Sequence, residues 1–154
     1  MFFRRSTAVV LMALSVAFLG LVSVSAAPVT GTDLTALGND FKALRQVQGH
    51  WDGQEFNEDV DAFNGKKHQV MKQLHEALSK PGTKASLVEE TMGPSDDIPA
   101  EILKQLKGTE PKITPPTNFK YALYKWRGYH DYLWFRINLR TKTVSKSEWY
   151  FAYE

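Results

Sequence analysis

Trp126-Arg127-Gly128-Tyr129-His130-Asp131-Tyr132 places an imidazole, a carboxylate, a guanidinium and several aromatic rings in one short stretch. A histidine exchanges protons near neutral pH and can serve as a general acid or base. Asp131 could orient the His130 ring, Arg127 could hold an anion, and Trp126, Tyr129 and Tyr132 could form a contact platform. Glu148 offers a second carboxylate for the same chemistry. This reading describes a small secreted hydrolase or nuclease, with His130 acting beside Glu148 or Asp131. No nucleophile accompanies them in sequence. The structural alternative is a hairpin turn: Gly128 supplies a positive φ, Asp131 accepts turn hydrogen bonds, and the aromatics pack on a sheet.

Two other groups invite a metal. His68 and His75 lie seven apart in a helical pattern, separated by about 10 Å of rise, too far for one ion. A chelating helix needs an i,i+4 pair. They read as histidines at the edge of an apolar stripe. Glu58-Asp59-x-Asp61 opens like a calcium loop but departs from the EF-hand pattern. Counted from Asp59, Asn64 stands where glycine is required and Val70 where glutamate is required. No metal ligand set and no cofactor motif is assigned. The chain lacks a P-loop, a nucleophile elbow and an HExxH motif.

These groups must be held by regular elements. Leu34, Leu37, Phe41, Leu44 and Val47 recur at helical spacing, which predicts a helix starting at Thr32 or Asp33 and ending at Gly49. Residues 50–65 have no period and read as an ordered loop anchored by Trp51, Phe56, Val60 and Phe63. Val70, Met71, Leu74, Ala77 and Leu78 predict a helix over 66–79. A third runs from Thr83 to Met92 and stops at Gly93-Pro94, where glycine suits a left-handed cap. A fourth, starting after Pro99, carries Ile102, Leu103 and Leu106 and ends at Gly108. The proline-bearing stretch 109–118 reads as an extended linker.

The remainder reads as β-structure. Residues 119–127 are aromatic and β-prone. Residues 132–139 alternate, with Leu133, Phe135 and Ile137 on one face and Tyr132, Trp134, Arg136 on the other. Residues 143–153 alternate again, with Val144, Lys146, Glu148, Tyr150 opposite Ser147, Trp149, Phe151. The short connections between them predict antiparallel hairpins. The fold class is α+β: N-terminal helices packed on one face of a three-stranded antiparallel sheet, a two-layer sandwich. Its other face is expected to meet water.

That outer face is the expected recognition surface. Tyr132, Trp134 and Tyr150 would share it with Arg136, and Trp126, Arg127, Tyr129 and His130 would adjoin it at the turn. Tyrosine, tryptophan and arginine are the types enriched at binding hot spots.

Composition bounds the compartment. Arg4 and Arg5 precede an apolar run from Ala8 to Val22, and Val24-Ser25-Ala26 supplies small residues before a cleavage point. Residues 1–26 read as a signal peptide, 27–31 as a loose tail and 32–154 as one α+β domain, secreted to the outside of the cell. The rival reading is an uncleaved membrane anchor. Without Arg4 and Arg5 the 19 basic residues fall to match the 17 acidic ones, so bulk charge makes no case for nucleic acid. The charges are segregated: 9 basic and 14 acidic over 27–110, 8 basic and 3 acidic over 111–154. The basic C-terminal part suits an extracellular protein or another anionic, acidic ligand. The absence of cysteine excludes disulfides, thiolate metal sites, cysteine nucleophiles and lipidation of a lipobox cysteine.

Thr83-Lys84, Val88, then Met92-Gly93-x-Ser95-Asp96, followed by three aromatic strands, resembles the small outer-membrane-assembly lipoproteins of the SmpA/OmlA type. The pattern is similar also to the repeats of β-lactamase inhibitor proteins. It spans roughly residues 66–154. Pro94 comes one residue earlier than in the Gly-x-Pro turn of those families, and the lipoprotein cysteine is absent, so membrane tethering does not carry over. The blocks GKKHQVM, MGPSDD and WRGYHDYLWF resemble small uncharacterised secreted proteins of fungi. The first resemblance implies a fold used for protein–protein contact, with no catalytic residues to inherit. The expected function is a secreted, non-catalytic binding or inhibitor-like module.

Overall fold

Leu34, Leu37 and Phe41 do line one side of a helix in the computed structural model, which describes residues 31–108 and 118–152. The signal segment, the start of the tail and most of the linker therefore lie outside the described residues. Helix α1 (Gly31–Leu44) stops short of Gly49. Its last turn tapers through Gln46 N–H to Ala43 and Val47 N–H to Leu44. A 3-10 turn (His50–Asp52) and the short α2 (Glu58–Asp61) follow. Then come α3 (Lys66–Leu78), α4 (Ala85–Met92) and α5 (Ala100–Gly108). Strands β1 (Phe119–Arg127), β2 (Asp131–Asn138) and β3 (Thr143–Phe151) complete the chain in the order β1-β2-β3, antiparallel throughout. The fold is α+β. No helix among the described residues is long and apolar enough to cross a membrane.

The larger core lies between α1, α3, α4 and one sheet face. Phe41, Met71, Leu74, Leu78, Val88 and Met92 meet Tyr124, Leu133, Phe135 and Val144 there. Met71, Leu74 and Leu78 recur at the helical repeat and are fully buried. Each such side chain contributes about 1.5–3 kcal/mol by leaving water. Helices α1 and α4 approach closely at Gly38, where a Cβ would stand 2.5 Å from the Thr91 carbonyl oxygen. Gly93 ends α4 with φ 81° and ψ −173°, an extended positive-φ conformation open to glycine and not the left-handed cap its place after α4 predicts.

The opposite face is not open. Helix α5 crosses it, and Leu106 with Ile98, Ile102 and Leu103 packs on Tyr121, Leu123, Tyr132 and Trp134. Tyr121 donates its hydroxyl to the Leu106 carbonyl at 3.2 Å. Tyr132 and Trp134 are left 1% and 5% exposed. The expectation that all helices share one side, with the other face in water, is corrected here. A strand pattern records which residues share a face, but both faces of this sheet carry apolar rings. Either face could have drawn α5.

Strict pairing also fails twice: between Lys125 and Arg127 on β1, where Trp126 is the extra residue, and again between β2 and β3. The register slips between Arg136 and Ile137, so Arg136 pairs with Lys146 while Ile137 pairs with Val144. Ser145 is the extra residue, a β-bulge, and its hydroxyl donates to the Arg136 carbonyl at 3.0 Å. The bulge turns Val144 into the same core as Trp149 and Phe151, not onto the face of Glu148. Loop backbone bonds each sheet edge at one place. Asp96 N–H donates to Leu123 on the β1 edge. Gly82 N–H donates to Val144, and Val144 N–H to Thr83, on the β3 edge.

The loop between α1 and α3 is ordered by one buried carboxylate. Asp61 is 3% exposed and accepts from His50 N–H and Asn57 N–H, both at 2.8 Å. Of the expected anchors, Val60 is buried, while Phe56 and Phe63 are each 66% exposed. Asp61→Ala leaves two part-buried donors without their acceptor and should lower stability by about 1–3 kcal/mol in urea unfolding. Asp61→Asn keeps an acceptor oxygen and should recover most of that loss.

Candidate functional site

Trp126 ends the aromatic ladder of β1 on the helix side of the sheet. Its indole N–H donates to the Val60 carbonyl at 2.9 Å. The His68 ring stacks on it at 4.1 Å and 11°. His68 projects from the first turn of α3, and its Nδ1 accepts from Asn64 N–H at 3.0 Å. Beyond, Trp149 and Phe151 lie two apart on β3 and stack with each other at 5.4 Å. Phe63 stands 4.8 Å from the His68 ring. Between these rings opens a cleft of about 610 Å³, mostly apolar, with Lys72, Arg127, His130 and Asp131 as its polar groups.

Arg127 is held from two sides. Its Nε donates to the Asp61 carbonyl at 2.7 Å, and its Nη1 stands 3.3 Å from Asp131 Oδ2. The guanidinium lies 4.1 Å over the Trp126 ring, a cation–π contact. Asp131 is 3% exposed, and its other oxygen accepts from Ala152 N–H at 3.1 Å. These bonds make Asp131 a clasp that ties the turn to the end of β3.

The remaining expected residues disperse. His130 Nδ1 stands 3.4 Å from Asp131 Oδ1, and the ring packs on Trp51 at 4.6 Å. Gly128 has φ 55°, so the turn geometry expected of it is present. Tyr129 donates to the Asp97 carbonyl at 2.8 Å, with Lys125 over its ring. Tyr132 stacks on Tyr150 at 4.8 Å beneath the second face. Burial, then Tyr150, pushes its hydroxyl up to about 12. Trp134 packs on Tyr121. Arg136 lies 4.4 Å over Phe119 and donates to Ser145. Glu148 pairs across the strand with Trp134 and bridges Lys146 at 2.7 Å. It therefore sits on the other sheet face from Asp131, and the pairing of His130 with Glu148 is not assembled. The open surface built on Tyr132 and Trp134 is likewise corrected: α5 covers both.

Trp126, Arg127 and His130 of the expected set do come together, with Asp131. Sequence reading missed Phe63, His68, Trp149 and Phe151 as their partners. The one available signal was the shared alternation of Trp149 and Phe151 on β3. Phe63 and His68 arrive through loop tertiary structure. Among the described residues no group of three or more His, Asp or Glu side chains is arranged for a metal. Compared with known proteins, the chain matches no family model, no curated protein and no solved structure. These comparisons neither support nor refute the lipoprotein and inhibitor resemblance.

Burial holds the His68 imidazole below its ordinary 6.5, aided by Lys72 and Arg127 and opposed by Asp131. Its Nδ1 must also stay unprotonated to accept from Asn64. His75 is lowered too, first by burial, and contacts Ser147 Oγ at 2.9 Å. A base depressed in the folded state stabilises the fold above its unfolded pKa. That contribution is lost as pH falls through the folded value. The melting temperature should hold above pH 6.5 and fall below it, before the carboxylates protonate near pH ~4. Melts of His68→Gln should show a shallower slope; an identical slope would remove His68 as a cause.

Proposed function

We propose that this protein is a secreted, non-catalytic binding module that recognises an acidic segment of another extracellular protein. The ligand class expected from sequence is kept, and the surface is relocated from the outer sheet face to the aromatic cleft. One observation carries the reading: a 610 Å³ open cleft walled by Phe63, Trp149 and Phe151, with Arg127 and Lys72 at its polar side. Apolar walls with a few convergent polar groups are the usual makeup of a binding site. Phe63 holds a large ring in water at 66% exposure, an arrangement that gains from a partner. Its cations suit a carboxylate beside an apolar or aromatic anchor. None of the side chains lining the cleft is a serine, threonine or cysteine nucleophile.

A displayed random peptide library, panned on the protein, tests this. Selected peptides should pair Asp or Glu with Trp, Phe or Leu. Phe63→Ala, an exposed position, should weaken them about tenfold, ~1.4 kcal/mol. Selected peptides without acidic residues, or indifferent to Phe63→Ala, would defeat the proposal.

A second reading, the small hydrolase or nuclease, retains His130 beside Asp131, because both line the cleft. It would need water as the nucleophile. Hydrolysis of RNA or a simple ester that disappears in His130→Ala would favour it over binding alone.

A further inference from the structure

On the other side of Trp126 lies a second concavity, of about 560 Å³. It draws on four elements: the end of α1, the first turn of α3, the Gly93-Pro94 turn and β1. Four cations line it, Lys42, Arg45, Lys67 and Lys125, against two carboxylates, Asp52 and Asp96. Their bonding divides them sharply.

Arg45 is fully engaged. It donates to the Pro94 carbonyl at 2.8 Å and the Met92 carbonyl at 3.3 Å, and bridges Asp96 at 2.7 Å. Asp96 is engaged as well, since its second oxygen accepts from Lys125 N–H at 2.8 Å. Lys42 donates to the Glu90 carbonyl at the end of α4. Asp52 accepts from Gly49 N–H at 3.3 Å.

Lys67 differs from these. It is only 7% exposed, yet its ammonium meets one acceptor, the Trp126 carbonyl at 3.1 Å. Among the described residues no carboxylate reaches it within bridging distance. An ammonium carries three donors, and burying a charge without full hydrogen bonding is strongly unfavourable. Lys125 likewise meets no carboxylate at its Nζ among the described residues, and that Nζ rests 5.0 Å over the Tyr129 ring. Of the two carboxylates, Asp96 is already held by Arg45 and by the Lys125 amide, and Asp52 is bonded to the Gly49 amide. Both lysines line the same concavity, where cations outnumber carboxylates and an added anion would find hydrogen-bond donors to spare.

We propose that this concavity is a second binding site, which takes a small organic oxyanion (a phosphate monoester or a carboxylate) between Lys67 and Lys125. Its oxygens would accept from both ammonium groups, as charge-assisted hydrogen bonds. The volume exceeds what a bare phosphate fills, which leaves room for the group attached to it. Without the anion, burial holds the Lys67 ammonium below its ordinary value, while Asp52 and Asp96 oppose that shift. With the anion in place, Lys67 would titrate higher. The site is independent of the aromatic cleft and stands whether or not that cleft binds a peptide.

The test uses inorganic phosphate and malonate as separate probes, with chloride at matched ionic strength as control. Amide spectra should shift saturably at Gly93, Lys67 and Gly128 with phosphate, malonate or both, and not with chloride. The stronger probe tells phosphate from carboxylate. Lys125→Gln, at the surface, should weaken binding at least tenfold, and Phe63→Ala should leave it unchanged. Lys67→Met should abolish it; if that variant does not fold, the Lys67 side-chain nitrogen titration in the unaltered protein decides. An upward shift on adding the bound probe supports the site, since a merely structural lysine would not respond. No saturable shift with either probe, an equal response to chloride, or unchanged binding in Lys125→Gln overturns it.

Discussion

The end of β1 is tied to the loop between α1 and α3 by two side-chain-to-backbone bonds: Trp126 Nε1 to the Val60 carbonyl and Arg127 Nε to the Asp61 carbonyl. Lys67 returns the tie from α3 by donating to the Trp126 carbonyl. Buried carbonyls and an indole N–H need partners, and these bonds supply them mutually. The loop has little apolar content to hold it. Its order depends on the Asp61 carboxylate, which gathers the His50 and Asn57 amides, and on this seam.

Both concavities follow from the seam. Trp126 is the wall between them. One side presents rings, because His68 stacks on the indole and β3 brings Trp149 and Phe151 alongside. The other presents charge, because α1, α3 and β1 converge there with lysines and Arg45. A displacement of Trp126 would disturb both sites at once. Phe63 touches only the aromatic one and Lys125 only the charged one, so the two can be altered separately.

Helix α5 has the largest effect on where a ligand can go. It lays Leu106 and its neighbours across Tyr121, Tyr132 and Trp134, the rings that best fitted a recognition surface in sequence. Two-sided burial then leaves the accessible aromatics at the sheet's end and on the 50–65 loop, beside the first turns of α3.

Local pattern was enough to determine the helices from Lys66 to Leu78 and from Ala85 to Met92, the glycine stop at Gly93, and the order and pairing of three antiparallel strands. Each rests on a period or a turn residue that neighbouring residues alone satisfy. Tertiary structure decided the rest. Residues 100–108 show an apolar helical face but not which sheet face it will choose. The bulge at Ser145 depends on the cross-strand register of β2. Phe63 and His68 join Trp126 because a buried carboxylate two residues upstream of Phe63 folds the loop back onto the sheet. A linear pattern records which side of an element is apolar; only packing decides what that side meets.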